Sequence, residues 1–352
     1  SAESPTFHSE TMAVYPGDKN NLPYDVVVER LHIEEPEPPV PVTESEKTFE
    51  EVLDEHPVFI QVNGQWQTFP NAKAAEEASY EEYKANLRRN AKNFRITDEH
   101  LGEGGPKAKF QANVNAIRLL KELEAAGQQA SPEQQEVLSR YVGWGGLSDA
   151  FDPEKPAWAL EYAQLKELLT PDEYAAARSS TLNAHYTSPT VIRAIYEAVY
   201  RMGFETGNIL EPSMGVGNFF GMLPEKMRNS RLYGVELDPV SGRIAKQLYP
   251  KADITVGGFE TTDRRDFFDL AIGNVPFGQY QVNDKVYNKL NFSIHNYFFA
   301  KALDQVRPGG VVAFVTSRYT MDAKDSTVRR YLAQRAELLG AIRLPNDAFK
   351  KN

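Results

Sequence analysis

The stretch Asn208-Ile-Leu-Glu-Pro-Ser-Met-Gly-Val-Gly-Asn-Phe-Phe220 decides the fold. Its apolar start, Ile209 and Leu210, reads as a short strand that ends in an acid, Glu211. Pro212, Ser213 and the residues to Gly217 form a small-residue loop, and a helix is expected from Asn218. Glycines at 215 and 217 permit positive φ and let the main chain approach a ligand closely. The spacing is G-x-G, without the third glycine of a dinucleotide fingerprint. Two later strands also end in polar residues. Arg231-Leu-Tyr-Gly-Val-Glu-Leu-Asp238 sets Glu236 about 20 residues downstream, where an acid suits a ribose diol in a Rossmann-like crevice. Phe268-Asp-Leu-Ala-Ile-Gly-Asn-Val-Pro-Phe-Gly278 ends in Asn274-Val-Pro-Phe277, at the carboxyl edge where open α/β sheets bind ligands.

Around these segments the pattern alternates. Strands are expected at 208–211, 231–236, 252–256, 268–273, 311–316 and 338–343, with helices between most of them. A helix from Pro189 to Met202 is capped by Ser188. Such alternation predicts an α/β fold, a Rossmann-like doubly wound and mostly parallel sheet with helices on both faces. The preceding region reads as mostly helical. Val114, Ile117, Leu120 and Leu123 make one apolar stripe in a helix over 111–126. Ser131-Pro-Glu-Gln134 and Thr170-Pro-Asp-Glu173 carry helix-start signals. Asn63-Gly64 between alternating apolar residues predicts a hairpin over 58–69. In Tyr141-Val-Gly-Trp-Gly-Gly-Leu147, Trp144 reads either as a packing plug or as a base-stacking platform. The chain therefore divides into an arm (1–56), a mostly helical region with a hairpin (57–180) and an α/β domain (181–352).

The totals narrow the classes. There is no cysteine, which excludes a disulfide framework and cysteine–zinc sites and fits a reducing compartment. No signal peptide or long apolar run is found, so a cytoplasmic location and no membrane partner are expected. The net charge of −10, taken as a total, argues against a nucleic-acid partner. Its distribution removes the objection: residues 1–56 hold fourteen acids and three bases, and the remainder is near neutral. Glu34-Glu-Pro-Glu-Pro-Pro-Val-Pro41 reads as an extended linker, and the arm as solvated or as a mimic of DNA. Lys84, Arg88, Arg89, Lys92 and Arg95 form the densest basic cluster, a solvated helix face or a phosphate contact.

The ordered set Glu211-Pro-Ser-Met-Gly-Val-Gly217, Glu236 and Asn274-Val-Pro-Phe277 resembles the S-adenosylmethionine-dependent DNA adenine-N6 methyltransferases. His185-Tyr-Thr-Ser-Pro189 resembles their segment at the methionine end of the cofactor. Leu344-Pro-Asn-Asp-Ala-Phe349 resembles a late motif of type I modification subunits. The resemblance covers roughly residues 180 to 350. Less specifically, 94–147 resembles the helical lead-in of methyltransferase–helicase proteins of mobile elements and phages. The family assignment implies a class I methyltransferase fold and S-adenosyl-L-methionine as cofactor, with no metal. Thr187, Glu211, Pro212, Ser213, Gly215, Gly217, Glu236, Phe259 and Asn274 would hold it. Asn274, Val275, Pro276 and Phe277 would be catalytic, acting on a flipped adenine in DNA.

The chemistry asks for those groups. An exocyclic amine is a poor nucleophile because its lone pair is delocalised into the ring. The Asn274 side-chain oxygen and the carbonyl of residue 275 can each accept one amine N–H and stabilise the charge that develops. Phe277 would stack on the flipped base. Two departures stand out. The family usually has proline where this chain has Val275, and an acid before the aromatic where it has Gly257-Gly258-Phe259; Glu260 is the nearest substitute. The resemblance also implies a target-recognition domain and a closing antiparallel strand outside this sequence, with a helicase region or recognition subunit as partner. An N-terminal strand at 24–33 or 58–62 completing the sheet edge is the other expectation. Competing functions are a degenerate methyltransferase fold that binds nucleic acid, and a methyltransferase on RNA or protein glutamine.

Overall fold

The computed structural model describes residues 57–62, 64–98, 100–181 and 187–345, without the side chains of 83, 84 and 86–90. The acidic arm, the strand expected at 24–33, His185, Tyr186 and the end of the 344–349 motif lie outside the described residues, as do the Lys84, Arg88 and Arg89 side chains. The chain divides into two compact units, residues 1–86 and 87–352.

In the first unit, β1 (Val58–Val62) and β2 (Gln65–Phe69) form an antiparallel hairpin. Gly64 has φ of +72°, the left-handed geometry that a two-residue hairpin turn needs. Helix α1 (Ala72–Asn90) follows and runs past the boundary. Among the described residues β1 pairs with β2 alone, so the expectation that 58–62 completes the larger sheet fails.

The second unit opens with helices α2 (Pro106–Ala125), α3 (Pro132–Ser139), α4 (Ala159–Leu168), α5 (Pro171–Ser180) and α6 (Pro189–Arg201). The stripe expected on α2 is its buried face: Val114, Ile117, Leu120 and Leu123 are all in the core. Capping boxes form at Ser131 with Gln134 and at Thr170 with Glu173, and Ser188 caps α6. Trp144 is 1% exposed and ringed by Phe110, Tyr141 and Phe151, which fits the packing-plug reading and leaves no face for a base. Asn113, fully buried, accepts from the Val142 N–H and donates to the Gly143 carbonyl, fixing that loop.

The sheet follows: β3 (Asn208–Glu211), α7 (Asn218–Gly221), β4 (Arg231–Glu236), α8 (Pro239–Leu248), β5 (Asp253–Val256), β6 (Phe268–Asn274), α9 (Ile294–Gln305), β7 (Val306–Val315), α10 (Tyr319–Asp322) and α11 (Thr327–Ala333). Its five strands run in the order β5-β4-β3-β6-β7, every neighbour parallel. This is a doubly wound, Rossmann-like parallel sheet. Two-residue periodicity supplies both faces. Ile209, Leu232, Ile254, Leu270 and Ile272 join one core with α2, α6 and α8. Leu210, Val235, Phe268, Ala271 and Val306 join the other, under α9.

Two strand expectations change. β7 begins at Val306 rather than 311, across Arg307-Pro-Gly-Gly310. Its register with β6 jumps from Phe268↔Val306 to Leu270↔Val311, so the turn-like residues bulge out while the strand continues around them. No strand forms at 338–343 among the described residues. Leu338, Leu339 and Ile342 are 67%, 58% and 85% exposed: without a neighbouring strand the segment has no ladder to join and no face to bury. No described helix is long and apolar enough to cross a membrane.

Candidate active site

Because all five strands are parallel, their carboxyl ends share one edge, and most of the residues expected in the site sit there. Glu211 ends β3, Glu236 ends β4, Gly257 to Phe259 follow β5, and Asn274 to Phe277 end and follow β6. The chain passes outward from β3 to β4 and β5, then returns to β6 on the other side. The crevice between β3 and β6 is therefore the topological switch point.

The glycine loop is shaped from several sides. Gly215 and Gly217 have φ of +56° and +86°. A Cβ at Gly217 would collide with the Tyr249 ring, so no other residue fits there. The Met214 N–H donates to the Val235 carbonyl, tying the loop to β4. The Tyr196 hydroxyl, from α6, donates to the Phe219 carbonyl and fixes the turn that leaves the loop.

Glu236 is half-buried and held by two main-chain donors, one from the loop after β3 and one from its own strand end. The Gly215 N–H donates to one carboxylate oxygen and the Asp238 N–H to the other, each at 2.7 Å. Burial nevertheless dominates and, with Asp238 nearby, pushes its pKa up to about 7 against those hydrogen bonds. Glu211 is 2% exposed, and its Oε2 has no hydrogen-bond partner. Burial first, and the Glu236 charge second, push its pKa well above the ordinary carboxylate range. Its Cγ lies where Gly273, immediately before Asn274, has no side chain; a Cβ there would stand 3.3 Å from it. Gly273 has φ of +149°. The two acids thus face the two loops that flank the switch point.

Asn274 is half-buried and its side-chain oxygen is enclosed. Val275 is 2% exposed; its side chain joins the core on the α9 face, and its N–H extends the β6–β7 ladder to the Val315 carbonyl. Core packing therefore accounts for an aliphatic residue at 275. Pro276 and Phe277 are half-buried. Pro212 is buried and Ser213 half-buried beside Glu211. Thr187, 5% exposed, precedes α6. Phe259 is 3% exposed and stacks on Phe298 at 5.0 Å, so one face of its ring is already covered. Among the described residues no cluster of metal-ligating side chains forms.

The arrangement has a definite chemical preference. Buried carboxyls with unmet acceptor capacity select hydroxyl donors and cations and repel phosphate. A glycine loop that carries no basic residue beside two acids is no cradle for a pyrophosphate. On the β6 side stand the Asn274 side-chain amide and the main chain of 274–277.

Residues 251–349 match the Eco57I restriction-modification methylase family. That span starts before β5 and includes Phe259, Asn274-Val-Pro-Phe277 and α9. The Defense against restriction protein B of Escherichia phage P1 is 28% identical over 258 residues, 71% of this chain and 10% of that protein. The Type II methyltransferase M.CvrRI of Paramecium bursaria Chlorella virus XZ-6E is 45% identical over 74 residues, 21% of this chain and 19% of the relative. The chain thus spans less than a fifth of the length of either relative. Among solved structures, a protein assigned to the class I S-adenosylmethionine-dependent methyltransferases of Listeria monocytogenes is 18% identical, covering 69% of this chain and 83% of its own, with a TM-score of 0.41.

Sequence reasoning missed one feature. Glu173 was legible only as a helix-cap residue, and its ion pairs with Lys121 and Arg243 carry no local sequence signal.

Proposed function

We propose that this chain is an S-adenosylmethionine-dependent methyltransferase of the restriction–modification type that methylates the N6 amine of adenine in DNA, with residues 181–352 as its catalytic part. The observation that carries the reading is the pairing of Glu211, buried, and Glu236, half-buried, beside a glycine loop, with Asn274 and Val275 at the end of the neighbouring strand β6. The residues fit the cofactor: it brings ribose hydroxyls, an ammonium and a sulfonium, and no phosphate.

Glu236 accepts from the ribose hydroxyls, and the Gly215–Gly217 main chain, Ser213 and Thr187 close around the methionine end. Glu211, left without a partner on Oε2, faces the cationic portion. When bound, the cofactor supplies a methyl group already activated on sulfur. The protein then has to prepare the amine. The Asn274 oxygen accepts one N–H and the residue 275 carbonyl the other, which localises the nitrogen lone pair and stabilises its developing charge. Phe277 stacks on a base turned out of the duplex, because the N6 amine is inaccessible within paired DNA. A valine at 275 gives no support to a degenerate site, since the acceptor required there belongs to the main chain. The partners are DNA and a recognition subunit or helicase region.

The test is methyl transfer from labelled S-adenosylmethionine to DNA, RNA and protein in parallel. We expect label in DNA, reduced by about 10²-fold or more in Asn274→Ala, the loss typical of a missing transition-state acceptor. Label in RNA or protein alone, or none above the Asn274→Ala level in any polymer, overturns the proposal.

A further inference from the structure

The carboxyl edge of the sheet has two electrically different halves. On the β3–β4–β5 half, the strand ends and loops at 211–217, 236–238 and 257–262 carry four acids, Glu211, Glu236, Asp238 and Glu260, and no base. On the β6–β7 half, the segments 275–293 and 316–326 carry four bases, Lys285, Lys289, Arg318 and Lys324, against three acids. All four bases are exposed, and none makes a salt bridge with a described residue.

The three acids are already engaged. Asp284, 7% exposed, accepts from the buried Lys301 ammonium at 2.8 Å and from the Tyr297 hydroxyl at 2.9 Å. Both Asp322 oxygens accept from Arg343, at 2.8 and 2.7 Å. Asp325 accepts from the Thr327 N–H at 2.9 Å and from its hydroxyl at 2.7 Å. Lys301 and Arg343 therefore cancel two of the three acids with bases from outside these segments, and an uncompensated positive charge remains on this half.

That charge lies beside the Asn274–Phe277 loop. The Val275 N–H donates to the Val315 carbonyl at 3.1 Å, so the ends of β6 and β7 are neighbours. Arg318 is three residues beyond Val315, and the chain can carry it no more than about 11 Å away. Its guanidinium lies 5.0 Å from the centre of the Tyr319 ring and donates to the Tyr319 hydroxyl at 3.2 Å; that ring is 47% exposed. Lys285 and Lys289 ride on the segment that leaves the loop itself, which the Asp284–Lys301 pair seats on α9. A nucleobase held at 274–277 brings the phosphates of its own strand to this edge. Acids repel them from one half, and unpaired bases attract them to the other.

We propose that the β6–β7 half of the edge, through Lys285, Lys289, Arg318 and Lys324, is the docking surface for the phosphodiester backbone of the DNA strand that carries the target base. The inference deepens the proposed function by naming where the backbone of its substrate runs, and rests on that reading for DNA as the substrate.

The test is binding of the full chain to a fluorescein-labelled DNA duplex, followed by anisotropy from about 50 to about 200 mM salt. In Arg318→Gln we expect weaker binding and a slope of log K against log salt smaller by about 1, the loss of one phosphate contact. The fourfold variant, with Lys285, Lys289, Arg318 and Lys324 all changed to glutamine, should lose about 3–4 of that slope. Lys251→Gln removes an exposed base just before β5, at the opposite edge of the sheet, and should bind as wild type does. Thermal unfolding checks each variant, and if the fourfold one fails to fold, Arg318→Gln carries the test. A wild-type slope in folded Arg318→Gln or in the folded fourfold variant, an equal fall in Lys251→Gln, or no binding by wild type at about 50 mM salt overturns the proposal. Binding is read without turnover. Slopes that change as expected in a chain that transfers no methyl group to DNA leave this surface standing and remove the proposed function; label in DNA with unchanged slopes does the reverse.

Discussion

Glu173 and Glu211 are both buried glutamates, 5% and 2% exposed, and they end on opposite sides of the ordinary carboxylate pKa. Glu173 lies where α5 meets α2 and α8. Its carboxylate accepts from the Arg243 guanidinium at 2.5 Å, from Lys121 at 2.9 Å and from the Thr170 N–H at 2.9 Å. Burial alone would raise its pKa; those partners outweigh burial and hold it at about 2. Glu211 lies at the sheet edge with an unmet oxygen, and burial, reinforced by the Glu236 charge, drives its pKa up. The same side chain in similarly dry surroundings serves two purposes. Where the protein supplies the donors, the acid joins the helical lead-in to the sheet's own helix. Where it withholds them, the acid keeps an unmet acceptor and a raised pKa.

That contrast breaks into separate measurements. The largest effect is on folding. Glu173→Ala leaves Arg243 and Lys121 without their shared anion and is expected to cost about 3 kcal/mol in urea unfolding, the scale of a broken buried pair. Cofactor affinity of the folded fraction stays as in wild type. A loss of affinity without a loss of stability would reverse the roles assigned to the two glutamates.

Next comes Glu236→Ala. Two charge-assisted hydrogen bonds to a diol are lost, so S-adenosylmethionine should bind about 100-fold more weakly by calorimetry. Stability should hold or rise, because a carboxylate whose burial is unfavourable has gone. Unchanged affinity would remove Glu236 from the site.

A pH series sharpens the comparison further. Glu236 has a folded pKa of about 7 against an ordinary value of 4.5, so the native state binds the extra proton. Relative to Glu236→Gln, wild-type stability should be full below pH 4.5 and decline as pH rises through 7. Glu173 has the opposite sign. Its contribution is present above pH 4.5 and is lost as pH falls toward 2, which Glu173→Gln should reveal. Parallel slopes for the two would contradict the assignment. The smallest expected effect is Glu211→Gln, which removes a disfavoured charge and leaves the fold unchanged or slightly more stable at neutral pH. A marked loss there would mean that Glu211 has a structural partner.

How far the sequence carried depends on the range of the interactions involved. The strands at 208–211, 231–236 and 268–274 were legible because apolar runs ended in Glu211, Glu236 and Asn274, and polar residues at strand ends are a local signal. Helix starts at Ser131, Thr170 and Ser188 were legible for the same reason, since a cap concerns residues three apart. The 338–343 segment has strand composition, yet a strand exists only if another one pairs with it, and composition cannot show that. The extension of β7 through Pro308 was hidden because a bulge looks like a turn until its register is known. Glu173 with Lys121 and Arg243 is a partnership across distant parts of the chain, made by the fold rather than by spacing.

The most direct trial of the whole account is to digest DNA to nucleosides after incubation with the full chain and S-adenosylmethionine, and to separate the products by mass. N6-methyladenine as the modified base, absent with Asn274→Ala, is the predicted result. Methylated cytosine, or N6-methyladenine that persists at wild-type level in Asn274→Ala, would contradict it.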